Sequence, residues 1–410
     1  MAAVLVIEDS PIILKILGHM FRRTPEYEAV FCASAAEAEI LLDSAEHFVA
    51  AVVDLHLPDA PNGEVVDLIL KHRVPCIVLS GLQDESRREE LLLKGVVDYV
   101  YKENQQSYDY VFHLLGRLEK NTHIKILIAD DSAPTRKFIG QCLKAQRYQL
   151  LEAENGKQAL QLLEQHPDTR LLIADYNMPE MDGIALVKHL RHEQKRKKLS
   201  IIGLSAESEG FLSARFIKHG ADDFLRKPFY PEELHIRVMH CLERQELIGQ
   251  LYQLAHCDSL TGLFNRRHFF ANAPELLLKA REQNTVPCVA MLDIDHFKRI
   301  NDDFGHDIGD VVLKAFARLL KDNFTGSLLA RLGGEEFALL VSDQNPASLA
   351  AELDDLRERC AQLVYGPTGV PELSFSAGLS AQGEDIDALL KDADEWLYHA
   401  KESGRGRCCY

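Results

Sequence analysis

"ILIADDS", residues 126–132, is an apolar run that ends in two acids and a serine, and "VLVIEDS", residues 4–10, is the same pattern near the start of the chain. Each is followed by a helical pattern, "APTRKFIGQCL" and "PIILKILGHMF", so each reads as a buried strand, a loop and a helix. Working outward, a later apolar run ends on one acid in both halves, "AAVVDLHLP" at Asp54 and "LLIADYNMP" at Asp175. A third ends on serine, "CIVLSG" at Ser80 and "IIGLSA" at Ser205, and a fourth is followed by lysine, "DYVYKE" at Lys102 and "DFLRKPF" at Lys227. The interval from serine to lysine is 22 residues in both halves. The same order at matching spacing predicts a domain duplication. Alternating strands and helices predict two doubly wound α/β domains with parallel sheets.

In such sheets functional groups gather where the carboxyl ends of the strands meet the loops. Glu8, Asp9, Asp54, Ser80 and Lys102 are predicted there, and so are Asp130, Asp131, Asp175, Ser205 and Lys227. Three carboxylates in one pocket repel each other unless a cation sits among them. An all-oxygen cluster suits Mg²⁺, or Mn²⁺ in its place, better than zinc. Lysine and serine could then meet the oxygens of a phosphoryl group. A single aspartate at a strand end reads as a cap; five roles filled twice in one order do not. The set resembles the receiver domains of two-component response regulators, over residues 1–118 and 122–245. That resemblance implies a flavodoxin-like fold, with Asp54 and Asp175 as phosphoacceptors. Glu8, Asp9, Asp130 and Asp131 would serve the metal beside those acceptors. Ser80, Lys102, Ser205 and Lys227 would be switch and phosphate contacts. A sensor histidine kinase or phosphotransfer protein would be the donor. Tyr99 and Phe224 match the family's aromatic switch position, and core packing is the other reading of both.

The halves differ. The second has Lys227-Pro228, a pattern this family places at a cis bond, whereas the first has Lys102-Glu103. The interval from Asp54 to Ser80 is 26 residues against 30 from Asp175 to Ser205, which predicts a shortened helix or loop in the first half. The second half departs least from the pattern and lies next to the output. After it, "PEELHIRVMHCLERQELIGQLYQLAHCDSL" has proline at a helix start, acids in the first turn and apolar residues at three- and four-residue steps. It predicts a last receiver helix running on as a linker over 246–257. Some 26 helical residues would span ~39 Å and could pair as a two-stranded coiled coil.

From residue 258 to 410 the pattern changes. "CVAMLDIDHFKRINDDFGHDIGD" predicts a strand ending at Asp293, a helix start, and a glycine-punctuated loop entering a helix from Asp310. "LLARLGGEEFALLV" predicts strand, tight turn and strand, with Gly333 and Gly334 in the turn. Those glycines let a ligand approach the backbone. If the strands are neighbours, Asp293 meets Glu335 and Glu336, and the group calls for a divalent metal.

These stretches resemble the GGDEF family of diguanylate cyclases in its GGEEF form, over about residues 256–410, and the whole order resembles PleD-type regulators. The resemblance implies a ferredoxin-like α+β, nucleotidyl-cyclase-like fold and condensation of two GTP into cyclic di-GMP with release of two pyrophosphates. Asp293, Glu336, Glu335 and the Ile294 carbonyl would hold Mg²⁺, and Glu335 would help deprotonate the attacking hydroxyl. Asn301 and Asp310 would read guanine. Lys298, Lys401 and Arg405 would neutralise phosphates, and Gly333 and Gly334 would admit GTP. One domain holds one GTP, so a homodimer is expected, formed through receivers switched by aspartyl phosphorylation. Many members carry an Arg-x-x-Asp product site upstream of the glycines; Phe324 and Ser327 stand there instead, which predicts weak or absent product inhibition at that place.

Three other readings compete: a nucleotide-binding effector without catalysis, a phosphotransfer adaptor, and a cyclase making a mixed purine dinucleotide. The first predicts loss of metal carboxylates or the glycine turn, and the second leaves Asn301 and Asp310 unexplained. The chain carries 46 basic and 63 acidic residues, a net −17, which argues against nucleic-acid or anionic-membrane partners. No apolar run has the length of a membrane span, and "MAAVLVIEDS" turns acidic too early for a signal peptide, so a cytoplasmic location is expected. Nine scattered cysteines without CxxC spacing read as reduced packing residues. Cys408 and Cys409 read as a tail, and the basic run at 195–198 as a solvated helix end.

Overall fold

A computed structural model of the chain describes residues 2–44, 47–192, 198–206, 212–362 and 372–410. It divides into two compact units, Met1–Glu246 and Leu247–Tyr410. The first begins with β1 (Ala2–Ile7), α1 (Pro11–Arg23), β2 (Tyr27–Cys32), α2 (Ala35–Asp43) and β3 (Phe48–Asp54). It continues with α3 (Glu64–Lys71), β4 (Cys76–Ser80), α4 (Glu85–Lys94), β5 (Asp98–Tyr101) and α5 (Gln105–Asn121). All pairings are parallel and the strand order is β2-β1-β3-β4-β5. Adjacent residues of one strand point to opposite faces, so Leu5 and Val53 fill one core while Val4 and Val52 fill the other.

The repeat follows as β6 (Lys125–Ala129), α6 (Ala133–Ala145), β7 (Gln149–Ala153), α7 (Gly156–Gln165) and β8 (Thr169–Asp175). Then come α8 (Gly183–His192), β9 (Ser200–Ala206), α9 (Leu212–Lys218), β10 (Asp223–Lys227) and α10 (Pro231–His256). Its parallel sheet, β10-β9-β8-β6-β7, has the same order as the first. The Lys227-Pro228 peptide is cis. Helix starts are local: Ser34, Asn104 and Asn155 each accept a hydrogen bond from the backbone N–H three residues on. The four-residue difference between the halves falls between β3 and β4, where α3 has 8 residues against 10 in α8. Of the basic run at 195–198, only Lys198 lies among the described residues.

Helix α10 is 26 residues long. Leu234, Val238, Cys241 and Leu242 are buried on it, whereas Leu247, Ile248, Leu251 and Leu254 are more than half exposed.

The second unit contains β11 (Phe264–Asn265), α11 (Arg266–Glu282), β12 (Cys288–Ile294), α12 (Phe297–Phe304), α13 (His306–Asn323) and β13 (Leu328–Gly333). These are followed by β14 (Glu336–Val341), α14 (Pro346–Ala361), β15 (Phe375–Ser380), α15 (Ile386–Glu402) and β16 (Cys408–Cys409). Its centre is the antiparallel ribbon β13-β14-β12-β15, a ferredoxin-like order, with β11 and β16 added in parallel at the edges. Three local expectations change. Asp310 lies inside α13, which starts at His306, because Gly305 at φ 84° breaks the chain in a single residue instead of a loop. The turn consists of Gly334 and Glu335, since Gly333 still pairs with Glu336 as the last residue of β13. Cys408 and Cys409 are an edge strand on β15, not a free tail.

Candidate functional site

At the carboxyl end of the first sheet, β1 delivers Glu8 and Asp9 and β3 delivers Asp54. Ligand atoms of all three carboxylates lie within 4.8 Å of one another. Lys102, one residue past β5, places Nζ 2.7 Å from Glu8 Oε2 and 2.8 Å from Asp54 Oδ2. Burial raises the Glu8 pKa, and Lys102 opposes that shift. The second sheet repeats the arrangement with Asp130, Asp131 and Asp175. Lys227 Nζ lies 2.6 Å from both Asp130 Oδ2 and Asp175 Oδ1, and burial again raises the Asp175 pKa against the pull of Lys227. Each pocket therefore offers a hard, oxygen-only nest whose charge one ammonium only partly balances, which fits Mg²⁺ or Mn²⁺.

The switch positions are less alike. Ser80 is fully buried, and its hydroxyl donates to the Leu82 carbonyl at 3.2 Å. Tyr99 is also buried and donates to that carbonyl at 3.4 Å, so the two share one acceptor. Ser205 donates weakly to Ala206 O at 3.4 Å, and Phe224 is half-buried beside Phe216.

Within the first unit, the α4–β5–α5 face of the first domain is docked along α10. Arg88 Nε donates to Glu232 at 2.7 Å, His113 lies 2.8 Å from Glu243, and Arg117 lies 2.9 Å from Glu246. Between these pairs is a buried polar network. Asp98 accepts from Tyr110 at 2.7 Å, and Gln146 donates to Val97 O at 2.6 Å. His235 turns Nε2 to the Cys142 carbonyl at 3.2 Å and Nδ1 to Gln146 at 3.4 Å, an arrangement the neutral ring satisfies. Burial pushes its pKa down to about 4. Read singly in the sequence, these polar groups face solvent; only the tertiary docking brings them together.

In the second unit, register places Asp293 of β12 directly opposite Glu336 of β14. Asp293 is 7% exposed, and its pKa is raised by burial first, with Glu335 and Glu336 adding to the rise and Lys401 opposing it. Lys401 Nζ lies 2.8 Å from Asp293 Oδ2. Ile294 N–H donates to the Glu335 carbonyl at 3.4 Å, which holds the tip against the end of β12. Among the described residues, three carboxylates approach within 4.8 Å only in the two receiver-like pockets; Asp293, Glu335 and Glu336 adjoin without closing that far.

The turn itself is pinned. Arg331 Nε donates to the Gly334 carbonyl at 2.8 Å, while Nη1 reaches Asp258 Oδ1 at 3.0 Å. Asp258 also accepts from the Thr261 amide and hydroxyl. Asn301 rests on α13 at Gly309, where a Cβ would come within 1.9 Å of Asn301 Oδ1, so only glycine allows that approach beside Asp310. Asp310, Lys298 and Arg405 are exposed. Phe324 is buried in the core, which gives a physical reason why no ligand-facing side chain stands at that position. Asp258, Arg331 and Gly309 were not singled out from sequence; "DSLTG" and the arginine two residues before the glycines carried the signal.

Residues 4–108 and 126–239 match the response regulator receiver domain, and residues 255–407 match the diguanylate cyclase GGDEF domain. The response regulator PleD of Caulobacter vibrioides is 26% identical over 447 aligned residues, covering 98% of each chain. A diguanylate cyclase of Vibrio cholerae is 37% identical over 169 residues, covering 40% of this chain and 52% of that protein. A solved two-component response regulator/GGDEF domain protein is 40% identical with a TM-score of 0.54, covering 60% of this chain and 100% of that one. With two receiver matches over more than half its length, followed by the GGDEF match, the chain belongs to the response regulators of PleD type, with two receiver domains and one GGDEF domain.

Proposed function

We propose that this chain condenses two GTP into cyclic di-GMP and two pyrophosphates under the control of aspartyl phosphorylation. The observation that carries the reading is the junction of Asp293, Glu336 and Lys401 beside a glycine turn held by Arg331. Asp293, the Ile294 carbonyl, Glu335 and Glu336 would hold Mg²⁺, which when bound supplies charge stabilisation at the α-phosphate and leaving pyrophosphate. Glu335, at the tip, would take the proton of the 3′-hydroxyl as its oxygen bonds to phosphorus and the bridge to the β-phosphate breaks. Asn301 and Asp310 would read guanine across the α12–α13 corner. Lys298, Lys401 and Arg405 would balance phosphate charge, and Gly333 and Gly334 would keep the approach clear.

In the receivers, Asp54 and Asp175 would accept phosphoryl from a histidine kinase or phosphotransfer protein. Glu8, Asp9, Asp130 and Asp131 would hold the ion with them, while Lys102, Lys227, Ser80 and Ser205 would meet the phosphoryl oxygens. The docking of the first receiver on α10 supports a reading in which both receivers act on one helix. The exposed Leu247, Ile248, Leu251 and Leu254 support pairing with a second copy, which would raise the effective concentration of facing GTP sites to the order of mM. The working boundaries are 1–118, 122–245, a helical linker at 246–257, and 258–410, and the expected location is the cytoplasm. No described helix is long and apolar enough to cross a membrane. Chromatography and mass spectrometry of a reaction containing GTP and Mg²⁺ test the reading. It expects cyclic di-GMP, lost in Asp293→Asn; bound GTP without product in every condition would favour an effector.

A further inference from the structure

Asp295 is a buried carboxylate to which the mechanism above gives no role. It is 7% exposed and lies just past the end of β12, two residues beyond Asp293. Its Oδ1 accepts from the Ser376 hydroxyl at 2.7 Å, its Oδ2 accepts from the Gly406 N–H at 3.0 Å, and its own N–H donates to Ser374 O at 2.9 Å. The Gly406 bond holds an unusual segment. Gly404, Arg405 and Gly406 all have positive φ, at 109°, 62° and 58°, and a non-glycine residue rarely adopts the left-handed region unless its neighbours impose it. Arg405 is further tied at its N–H to Ala400 O at 3.0 Å, the end of α15. The end of β12 is thus stapled twice to the segment carrying Lys401 and Arg405. The Asp293–Lys401 staple joins two groups proposed to serve metal and phosphate, so ligands exchange it. The Asp295–Gly406 staple is half-buried, with its carboxylate end in the interior, and joins no group proposed to meet metal or phosphate.

We infer that Asp295 is a positioning residue for nucleotide phosphate. It fixes the 404–406 turn so that Arg405 faces the polyphosphate while Asp293 and Lys401 change partners. This rests on the reading of the C-terminal domain as a GTP site. The role is one of hydrogen-bond geometry, which separates it from a metal-ligand role. Asparagine can keep both side-chain bonds, because its oxygen accepts from Gly406 and the Ser376 hydroxyl reverses to accept from its NH₂. Alanine keeps neither.

The test measures affinity for a non-hydrolysable GTP analogue and steady-state KM and kcat on the full chain. Hydrogen exchange at residues 403–407 is followed in parallel. Asp295→Ala is expected to raise Kd and KM about tenfold or more, lower kcat by a smaller factor, and expose the Gly406 amide. Asp295→Asn is expected to stay within about threefold of the parent in all three. Arg405→Ala placed on Asp295→Ala is expected to add little, because the arginine is already misplaced. If Asp295→Ala does not fold, Ser376→Ala removes one of the two bonds and is expected to raise KM about threefold. Asparagine as damaging as alanine, parental affinity in Asp295→Ala (in Ser376→Ala, should that stand in for it), or full additivity with Arg405→Ala would overturn the inference. Failure of the unsubstituted chain to bind the analogue would overturn the GTP-site reading itself, and is seen without any variant.

Discussion

Acidification should loosen the contact between the first receiver and α10 through His235. The imidazole is held neutral, its ordinary value of 6.5 being pushed down to about 4 by burial, while the Cys142 carbonyl and Glu232 oppose that shift. Because the folded value lies below the unfolded one, the unfolded state binds the extra proton first. The contribution of His235 is therefore intact above pH 6.5, falls as pH drops through the window, and is lost near pH 4. At about 1.4 kcal/mol per pKa unit the whole shift corresponds to about 3 kcal/mol, of which about 2 kcal/mol falls between pH 7 and 5. The only tryptophan, Trp396, belongs to the second unit, so the contact calls for a probe within the first. Hydrogen exchange of α5 and of residues 231–245, corrected for intrinsic rates, reports it. Between pH 7 and 5 the parent should lose about 30-fold more protection there than His235→Gln, whose side chain does not titrate. Glu8, Asp98 and Asp175, also raised in pKa, are present in both proteins and cancel in the comparison. Equal pH responses in the two would refute the assignment.

Other outcomes follow from the same geometry. Lys227→Ala leaves Asp130, fully buried, facing Asp175 without a cation; it should lower stability by about 3 kcal/mol in metal-free buffer, and millimolar Mg²⁺ should restore most of the loss in a thermal melt. Gly309→Ala drives a Cβ against Asn301 Oδ1, so GTP affinity should fall about tenfold or more while circular dichroism stays unchanged. Arg331→Ala releases the turn at Gly334 and should reduce turnover by about 100-fold, with Asp258→Ala following in the same direction. Added cyclic di-GMP should affect Ser327→Ala and the parent within about twofold of each other, because neither Phe324 nor Ser327 offers the charges of a product site.

What was legible in the sequence was whatever lies at the end of an apolar run. Glu8, Asp54, Asp130, Asp175 and Asp293 lie within one residue of the ends of buried strands, so both the sheets and the acids could be read from one pattern. The shortened first receiver was legible too, from an interval four residues smaller that falls between β3 and β4. What was not legible arises between distant segments. Arg331 and Asp258 are 73 residues apart, and Asp295 and Gly406 are 111 apart; no periodicity connects such pairs. Asp98, Tyr110 and His235 were hidden for a related reason, since polar residues on a helix or strand end read as solvent-facing until a second domain covers them. The start of α13 was misjudged because one glycine, Gly305, makes the break for which a loop was expected.

The rate of cyclic di-GMP formation from GTP and Mg²⁺, with and without beryllofluoride, tests the central claim most directly when the parent is compared with Asp54→Asn and Asp175→Asn. Beryllofluoride should raise the parent rate about tenfold or more, Asp175→Asn should lose that rise, and Asp54→Asn should reduce it by a smaller factor. Formation of cyclic di-GMP at one rate in all six conditions, or no cyclic dinucleotide in any of them, would contradict the account.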